Sequence, residues 1–440
     1  VPTRRQLLLS SAALGLAGAG TLAGCGGDQP VELEEGETLR MRVWSEAAAT
    51  AYEASLREFT ADTGLEVDLE VLGWDAYWEQ LPLDVAAESL PDVLWMNTAN
   101  LAQAHASGQL LEVGEIAGGD AGAWEAAATD LYRLEDGLWG VPQIWEQTVL
   151  VSHRGLVGAV DGDPEELLAD PGAGSDTLRD LARALTVDDE GRHPGDEGFD
   201  PAGRLVHGFS AHPDRTALLG PFIAGQGGTW QDEEGAFTFG SAQGIAAVQY
   251  LADMAAEHLA PSGAATVGDP DLCLDLFAGG KLGLLQTGTY DLSALAEAID
   301  GAFEWTLHPP VAGPEGSRPL VHAVAAVGID PGDDDRRAAV GELLSWLGGV
   351  EGQRPLAENR LGIPGHRDLR GAWEGSWSEA GVDVSVLRPA PEDVARPELG
   401  NRSAEGTGTA LPIIAEVFTG DATAEDALPR AQDEANGVLG

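Results

Sequence analysis

Leu39-Arg-Met-Arg-Val43, Leu65-Glu-Val-Asp-Leu-Glu-Val71 and Asp92-Val-Leu-Trp-Met96 are the segments on which the fold turns. In the first two, apolar residues alternate with charged ones, the two-residue period of a half-buried strand. The third is a short apolar run after Pro91 and reads as a buried strand. Between the first two, Tyr52, Leu56 and Phe59 recur at helical spacing, and Gly64 is placed to end that helix. A second helix is expected through Leu81–Leu90, broken by Pro91, and a third over Asn100–Ser107, closed by Gly108. Strands alternating with helices predict a parallel sheet covered by helices, the α/β class. In such sheets ligands bind beyond the carboxyl ends of the strands, so Trp44, Trp74 and Asn97 are candidate contacts.

Downstream, Thr148–Ser152 reads as an extended apolar segment, and residues 161–200 as surface loop around one helix near Thr177–Leu185. A long helix is expected over Ser241–Leu259, with Val248, Leu251, Ala255 and Leu259 as its buried stripe. Strands are expected at Leu282–Leu285, Phe303–Leu307 and Val321–Ile329, and helices at Arg336–Leu347 and Glu425–Leu439. Trp95, Trp305 and Trp346 read as core, whereas Trp373 and Trp377 lie in a loop-rich segment.

The charge is lopsided: 73 acidic residues face 24 basic ones, a formal net charge of −49, and Lys281 is the only lysine. Nucleic acid is excluded as a partner, because binding it needs a cationic surface that displaces counterions. Anionic solutes are repelled at long range, although one buried arginine could overcome that locally. Cys25 and Cys273 are the only cysteines. With Cys25 assigned as described next, no intrachain disulfide is possible, and Cys273, in an amphipathic stretch, reads as a buried structural thiol.

The first 25 residues are expected to be an export signal: Arg4-Arg5, a short apolar run from Leu7, then Leu22-Ala23-Gly24-Cys25. The paired arginines resemble a twin-arginine signal, a receptor-read address. Leu22–Cys25 resembles a bacterial lipobox, which implies lipidation of Cys25 and work outside the cytoplasmic membrane. Residues 26–37 read as a charged tether.

Beyond the tether, a series of short motifs resembles the extracellular solute-binding proteins of carbohydrate ABC importers, the family that includes maltose-binding protein. Phe59-Thr-Ala-Asp-Thr-Gly64 before an alternating strand, Pro91-Asp92-Val93, Gly108-Gln-Leu-Leu111 and Trp139-Gly140-Val141-Pro142 follow the family's order. So do Thr177–Thr186, Phe277-Ala-Gly-Gly-Lys281 through Gly288-Thr-Tyr290, and Glu342–Trp346 with Glu351-Gly-Gln353. The likeness spans nearly all of residues 38–440. It implies a two-lobed clamp, each lobe a sheet flanked by helices, with three hinge crossings near Trp145, Val311 and Gly349. The lobes would be 38–144 with 312–348, and 147–310 with 350–440. It further implies a monomer that binds a carbohydrate, delivers it to membrane permease subunits, and needs neither cofactor nor metal.

A sugar presents weakly apolar C–H faces, which stack on aromatic rings, and hydroxyls that need paired donors and acceptors. The chain has 12 Trp and 5 Tyr to supply the rings. Glu146 falls where the resemblance places a ligand-binding carboxylate at the hinge, with Trp145 beside it. Tyr290 matches an aromatic that commonly stacks on sugar, and His322 lies near a position that often contacts ligand. Trp230 follows the glycine-rich Gly227-Gly-Thr, a looser match because the family more often has a tyrosine or a loop residue there. The candidate set is therefore Trp44, Trp74, Asn97, Trp145, Glu146, Trp230, Tyr290 and His322.

A neutral mono- or oligosaccharide is the first expectation for the ligand, with a polyamine as the competing class. A sensory or adhesive lipoprotein built on the same clamp is a further reading. An enzyme acting on glycosides is another, although no Gly-x-Ser-x-Gly, His-Glu-x-x-His or Cys-x-x-Cys motif is present. His207 and His212 read as a solvated pair rather than metal ligands.

The excess of acidic charge yields a first prediction. Raising sodium chloride from about 0.05 to about 1 M shortens the screening length to about 3 Å and relieves self-repulsion. The melting temperature should rise with salt; a flat or falling response would contradict this.

Overall fold

The computed structural model describes residues 33, 37–114, 120–135, 137–160, 162–170, 176–387, 393–395, 397, 398 and 400–439. Residues 1–25, with Cys25, and most of the tether over 26–37 lie outside them. Among the described residues no helix is long and apolar enough to cross a membrane.

The opening strands form as their alternation predicts: β1 is Leu39–Val43, β2 Val67–Val71 and β3 Val93–Asn97. All three run parallel, with β1 in the middle. Helix α1, Glu46–Thr63, starts where the Ser45 hydroxyl accepts the Ala48 N–H and stops at Gly64, whose φ of 81° suits a residue without a Cβ. Helix α2 runs Trp74–Ala87 with Pro82 inside it. It begins earlier than expected, so Trp74 opens a helix instead of trailing a strand. Trp74, Tyr77, Trp78, Leu81 and Val85 do recur at helical spacing, and Tyr77 and Leu81 are buried. Helix α3, Thr98–Ala106, is capped by the Asn97 side chain.

The remaining long strands are β4 (Val141–His153), β5 (Arg204–Phe209), β6 (Leu282–Gly288), β7 (Trp305–His308) and β8 (Val321–Gly328), with a short β9 at Ile363–Pro364. They join the first three in one ten-stranded sheet, ordered β2-β1-β3-β8-β4-β6-β5 and then Val187–Asp188. β4 is shared. Its Val141–Gln147 stretch pairs with β8 and β9, and its Thr148–Ser152 stretch pairs with β6. β7 pairs with Leu150–His153.

Two buried clusters flank this sheet. One joins Met41, Tyr52, Trp95 and Val327 with Leu343, Leu356, Trp373 and Leu387, and takes in Phe277, Leu285 and Leu295 as well. The other gathers Phe209, Phe222, Tyr250, Leu251, Ile414, Val417 and Leu428. Helices α4 (Thr177–Leu185) and α5 (Ala242–Ala256) serve the second cluster, and α6 (Asp334–Gly348) and α7 (Val350–Glu358) the first.

One expectation changes here. Trp373 and Trp377 lie not in a loop but in helix α8, Arg370–Glu379, and both are core residues at 1% exposure. Residues through Leu387 remain in the first cluster, and Ala410 of helix α9, Ser403–Thr419, is already in the second. The final helix, α10, is Ala424–Leu439 and packs on α9. Cys273 is buried, and burial pushes its thiol up to about 12, so it stays protonated and inert.

The Glu351-Gly-Gln353 turn shows why those residue types are needed. A Cβ on Gly352 would lie 2.1 Å from the Trp346 carbonyl oxygen, so α6 and α7 meet there through bare backbone. The Gln353 amide donates to the carbonyls of Pro142 and Leu347 at 2.7 and 3.1 Å, and its oxygen accepts the His366 N–H at 2.8 Å. Gln353 thus ties β4 to α6 and to the segment after β9. Gln353→Ala strands these buried groups and should cost on the order of 2–4 kcal/mol in urea unfolding. A loss below about 0.5 kcal/mol, the scale of a surface change, would contradict this assignment.

Candidate functional site

Four strand ends converge on one edge of the sheet. Trp44 follows β1 and Asn97 closes β3; His322 stands near the start of β8, which runs antiparallel to β3. Glu146 on β4 is the register partner of His322. Past that point β4 passes to its second partner, β6, whose end carries the turn Thr289–Asp291. The crevice at this edge therefore has walls from both halves of the sheet.

At its centre, His322 Nε2 lies 3.3 Å from Glu146 Oε2. The Tyr290 ring meets the His322 ring edge-on with centroids 5.6 Å apart. The Gln147 N–H donates to the Thr289 hydroxyl at 3.2 Å, which fixes the turn bearing Tyr290 against β4. Tyr290 is 37% exposed and free to meet a ligand, whereas Glu146 is only 6% exposed. Farther along the edge, Trp44 packs edge-on against Trp74, Tyr77 and Trp95, with centroids 5.4, 5.2 and 5.0 Å away. Trp74 is half exposed. Two strands, β3 and β8, separate β1 from β4, so this aromatic group stands about 14 Å from Glu146 at ordinary strand spacing.

The other candidates are placed differently. Side chains alternate along β4, so Trp145 faces away from Glu146. It is 1% exposed and lies in the first cluster with Arg370 over its ring at 5.8 Å. Trp230 is also buried. Phe239 stacks on its ring at 4.4 Å, and the Arg215 guanidinium lies over it at 4.4 Å, which leaves no face for a sugar. The Asn97 oxygen accepts from the Asn100 N–H and side-chain amide at 3.0 and 2.8 Å, so it caps α3. Crevice residues that the sequence reading passed over are Asp291, Asp214 and Arg215. Asp291 adjoins Tyr290. Asp214 and Arg215 lie shortly beyond the end of β5, where the rule used for Trp44 and Asn97 would have found them.

Burial dominates the electrostatics. It pushes the Glu146 carboxyl up to about 8, with the Asp291 charge adding to the effect. Burial draws the His322 imidazole down to about 4, and the Arg215 charge lowers it further. Asp291 rises to about 6, through burial and the charges of Asp214 and Asp271 against a hydrogen bond from Thr287. At neutral pH Glu146 is therefore a neutral acid beside a neutral imidazole. Such a pair can donate to and accept from hydroxyls without the desolvation penalty of buried charge. The His322 Nδ1 is buried and makes no hydrogen bond. Among the described residues no group of three or more His, Cys, Asp or Glu could hold a metal ion.

These shifts fix a pH dependence. Glu146 binds its proton more tightly when folded, so the stability it contributes is present below about 4.5 and is lost as pH rises to about 8. Asp291 follows the same sign but has titrated by about 6. His322 has the opposite sign, losing its contribution as pH falls from 6.5 to about 4. Above about pH 6.5 only Glu146 of the three still titrates. Unfolding free energy should decline from there to beyond pH 8, and Glu146→Gln should flatten that decline. An unchanged slope in the variant would contradict the assignment.

The sequence profile described as bacterial extracellular solute-binding protein matches residues 43–354. No curated protein matches the sequence. Among solved structures, the chain is similar to UspC of M. tuberculosis, at 30% identity and a TM-score of 0.77, covering 91% of this chain and 100% of that one. It is also similar to the GacH receptor of Streptomyces glaucescens, solved unliganded and with acarbose, at 16% identity and a TM-score of 0.75, covering 91% and 98%. Maltose-bound MalE3 of T. maritima matches at 17% identity and a TM-score of 0.73, covering 91% and 100%. The last two likenesses speak to the fold, a two-lobed α/β architecture. Together with the profile match, the resemblance to UspC establishes that the chain belongs to the family of bacterial extracellular solute-binding proteins.

Proposed function

We propose that this protein captures a sugar or oligosaccharide in the crevice, closes its two halves on it about β4, and delivers it to an ABC-type permease. A lipid on Cys25 would moor it to the outer face of the membrane. One observation carries this reading: exposed aromatic rings and a buried, neutral Glu146–His322 pair share one crevice edge that reaches both halves. Rings serve the C–H faces of a sugar, and the neutral pair serves its hydroxyls. The solved relatives that carry acarbose and maltose support the same class of ligand. The distance between Tyr290 and the Trp44–Trp74 group favours a ligand longer than one pyranose ring.

We propose lobes of 38–147 with 321–387, and 148–320 with 393–439, placing the last crossing after Leu387, where the chain leaves the first cluster, although Phe277, Leu285 and Leu295 of the second lobe also pack into that cluster. A polyamine would want paired ionised acids, and of Glu146 and Asp291 only Asp291 is ionised at neutral pH, which favours the sugar. A catalytic reading finds one serine–histidine–carboxylate chain. Ser152 Oγ lies 2.7 Å from His308 Nε2, and His308 Nδ1 lies 3.0 Å from Glu165. Ser152 is 2% exposed within β4, paired to both β6 and β7, so no substrate can reach its hydroxyl. We read this chain as a hinge support. A sensory or adhesive lipoprotein would use the same crevice and differ only in its partner.

Calorimetric titration against a carbohydrate panel, paired with a turnover assay on the same compounds, tests the reading. Binding without turnover is expected. Tyr290→Ala and Glu146→Ala should each weaken binding about tenfold or more, the loss of one stacking contact or one hydroxyl partner. Product formation, or full affinity in both variants, would contradict it.

A further inference from the structure

Arg215 is 8% exposed, yet its Nε and Nη1 donate no hydrogen bond. The Glu398 Oε1 atom stands 3.6 Å from Nε, beyond hydrogen-bond reach, and it already accepts the Thr407 hydroxyl at 2.8 Å. The surroundings hold the guanidinium in place without bonding it. The Trp230 ring lies beneath it at 4.4 Å and is itself anchored by its Nε1–H, which donates to Thr407 at 3.1 Å. Gly220 leaves the room: a Cβ there would sit 2.2 Å from Arg215 Nη1. Buried guanidinium donors without partners are destabilising, so a protein keeps them where something else completes them.

Arg215 lines a cavity of about 200 Å³ together with Arg318, Thr229, Trp230, Gly227 and Glu315. Arg318 adds a second cation, paired with the exposed Asp393 at 2.8 Å. Glu315 at the rim is exposed. The space suits a small substituent and is too tight for a whole oligosaccharide. Ala395 in the cavity wall bridges Leu320, two residues before His322, and the carbonyl of Thr216, next to Arg215, accepts the Thr148 hydroxyl two residues from Glu146, so the cavity adjoins the crevice.

We propose that the cavity receives an anionic group of the captured saccharide (a carboxylate, sulfate ester or phosphate ester), with the Arg215 fork as its partner and Arg318 as a second cation. This rests on the sugar reading above and narrows it to acidic sugars. A guanidinium gives such groups charge-assisted hydrogen bonds, shorter and stronger than neutral ones. The net charge of −49 opposes the approach of an anion at long range, but that repulsion is screened, whereas a contact inside the cavity is not.

The test measures affinities at matched ionic strength for native protein, Arg215→Met and Arg215→Lys. The probes are glucose-based saccharides and their counterparts bearing a uronate, a 6-sulfate or a 6-phosphate, with sodium sulfate and sodium phosphate alone as further probes. At least one acidic saccharide should bind native protein about tenfold or more tighter than its neutral parent. Arg215→Met should lose that preference and Arg215→Lys should keep part of it. A cooperative melt of ligand-free Arg215→Met verifies that it folds with Glu398 left without its cation. Neutral saccharides binding with no acidic preference, or a preference that survives in Arg215→Met, would overturn this inference and leave the sugar reading standing. Sulfate or phosphate raising the melting temperature of native protein but not of Arg215→Met, with no saccharide of either kind bound, would keep the anion cavity and remove the sugar reading.

Discussion

A single strand, Val141–His153, belongs to both halves of the molecule, and the site depends on it. Its burial is continuous until its last residue. Val141–Gln147 is held between Val321–Gly328 and Ile363–Pro364, and the residues after it between Leu282–Gly288 and Trp305–His308. A strand hydrogen-bonded on both sides cannot slip by one residue without turning every side chain to the opposite face. Glu146 is thereby fixed in the crevice, Trp145 in the core, and the switch of partners between Gln147 and Thr148 beside the ligand. In the proposed closure, the halves reorient about that switch with the strand intact.

The same strand carries an unusual load of buried polar groups. Gln143 accepts the Tyr52 hydroxyl at 2.7 Å and donates to the Val141 and Leu347 carbonyls, each at 3.0 Å. Thr148 accepts the Leu320 N–H at 3.0 Å. These groups are satisfied within the protein and hold the scaffold rigid. Groups facing the crevice and its adjoining cavity are not: the His322 Nδ1 and two Arg215 donors have no hydrogen-bond partner. Rigid, satisfied supports behind unsatisfied, aimed donors describe a site whose geometry is set before the ligand arrives, so little ordering remains to oppose binding. Stability given up at such a site becomes selectivity, because a ligand lacking the matching group leaves the donor buried and alone.

Local chemistry made much of the fold legible. The alternation at Leu39–Val43 and Leu65–Val71, the Gly64 stop, the helix at Thr177–Leu185 and the strand from Leu282 all follow from periodicity and punctuation. Pro82 obscured the start of Trp74–Ala87, since a proline inside a helix competes with the apolar spacing around it. Trp373 and Trp377 sit among glycines and serines that read as loop, and tertiary packing overrode that weak propensity. Of the residues that meet in the crevice, Trp44 was marked by the strand-end rule, and Glu146, Tyr290 and His322 by the resemblance to the family. The placement of Trp230 was not legible, because nothing in one dimension shows that Phe239 and Arg215 occupy its faces. Asp291 was hidden by abundance, because in a chain this acidic burial distinguishes a site carboxylate from a surface one, whereas Asp214 and Arg215 stand beyond a strand end, where the rule points.

The central claim is that the two halves close about Val141–His153 on a ligand that touches both. A distance measurement between spin labels at Leu83→Cys and Leu205→Cys tests it, since both positions are exposed and lie on opposite halves. In protein lacking the first 25 residues, Cys273 is the one other cysteine, and its burial keeps it unlabelled. Saturating sugar should narrow and shorten the distance distribution by several ångströms, as expected when a ligand favours one of two states. A distribution identical with and without bound sugar would contradict the account.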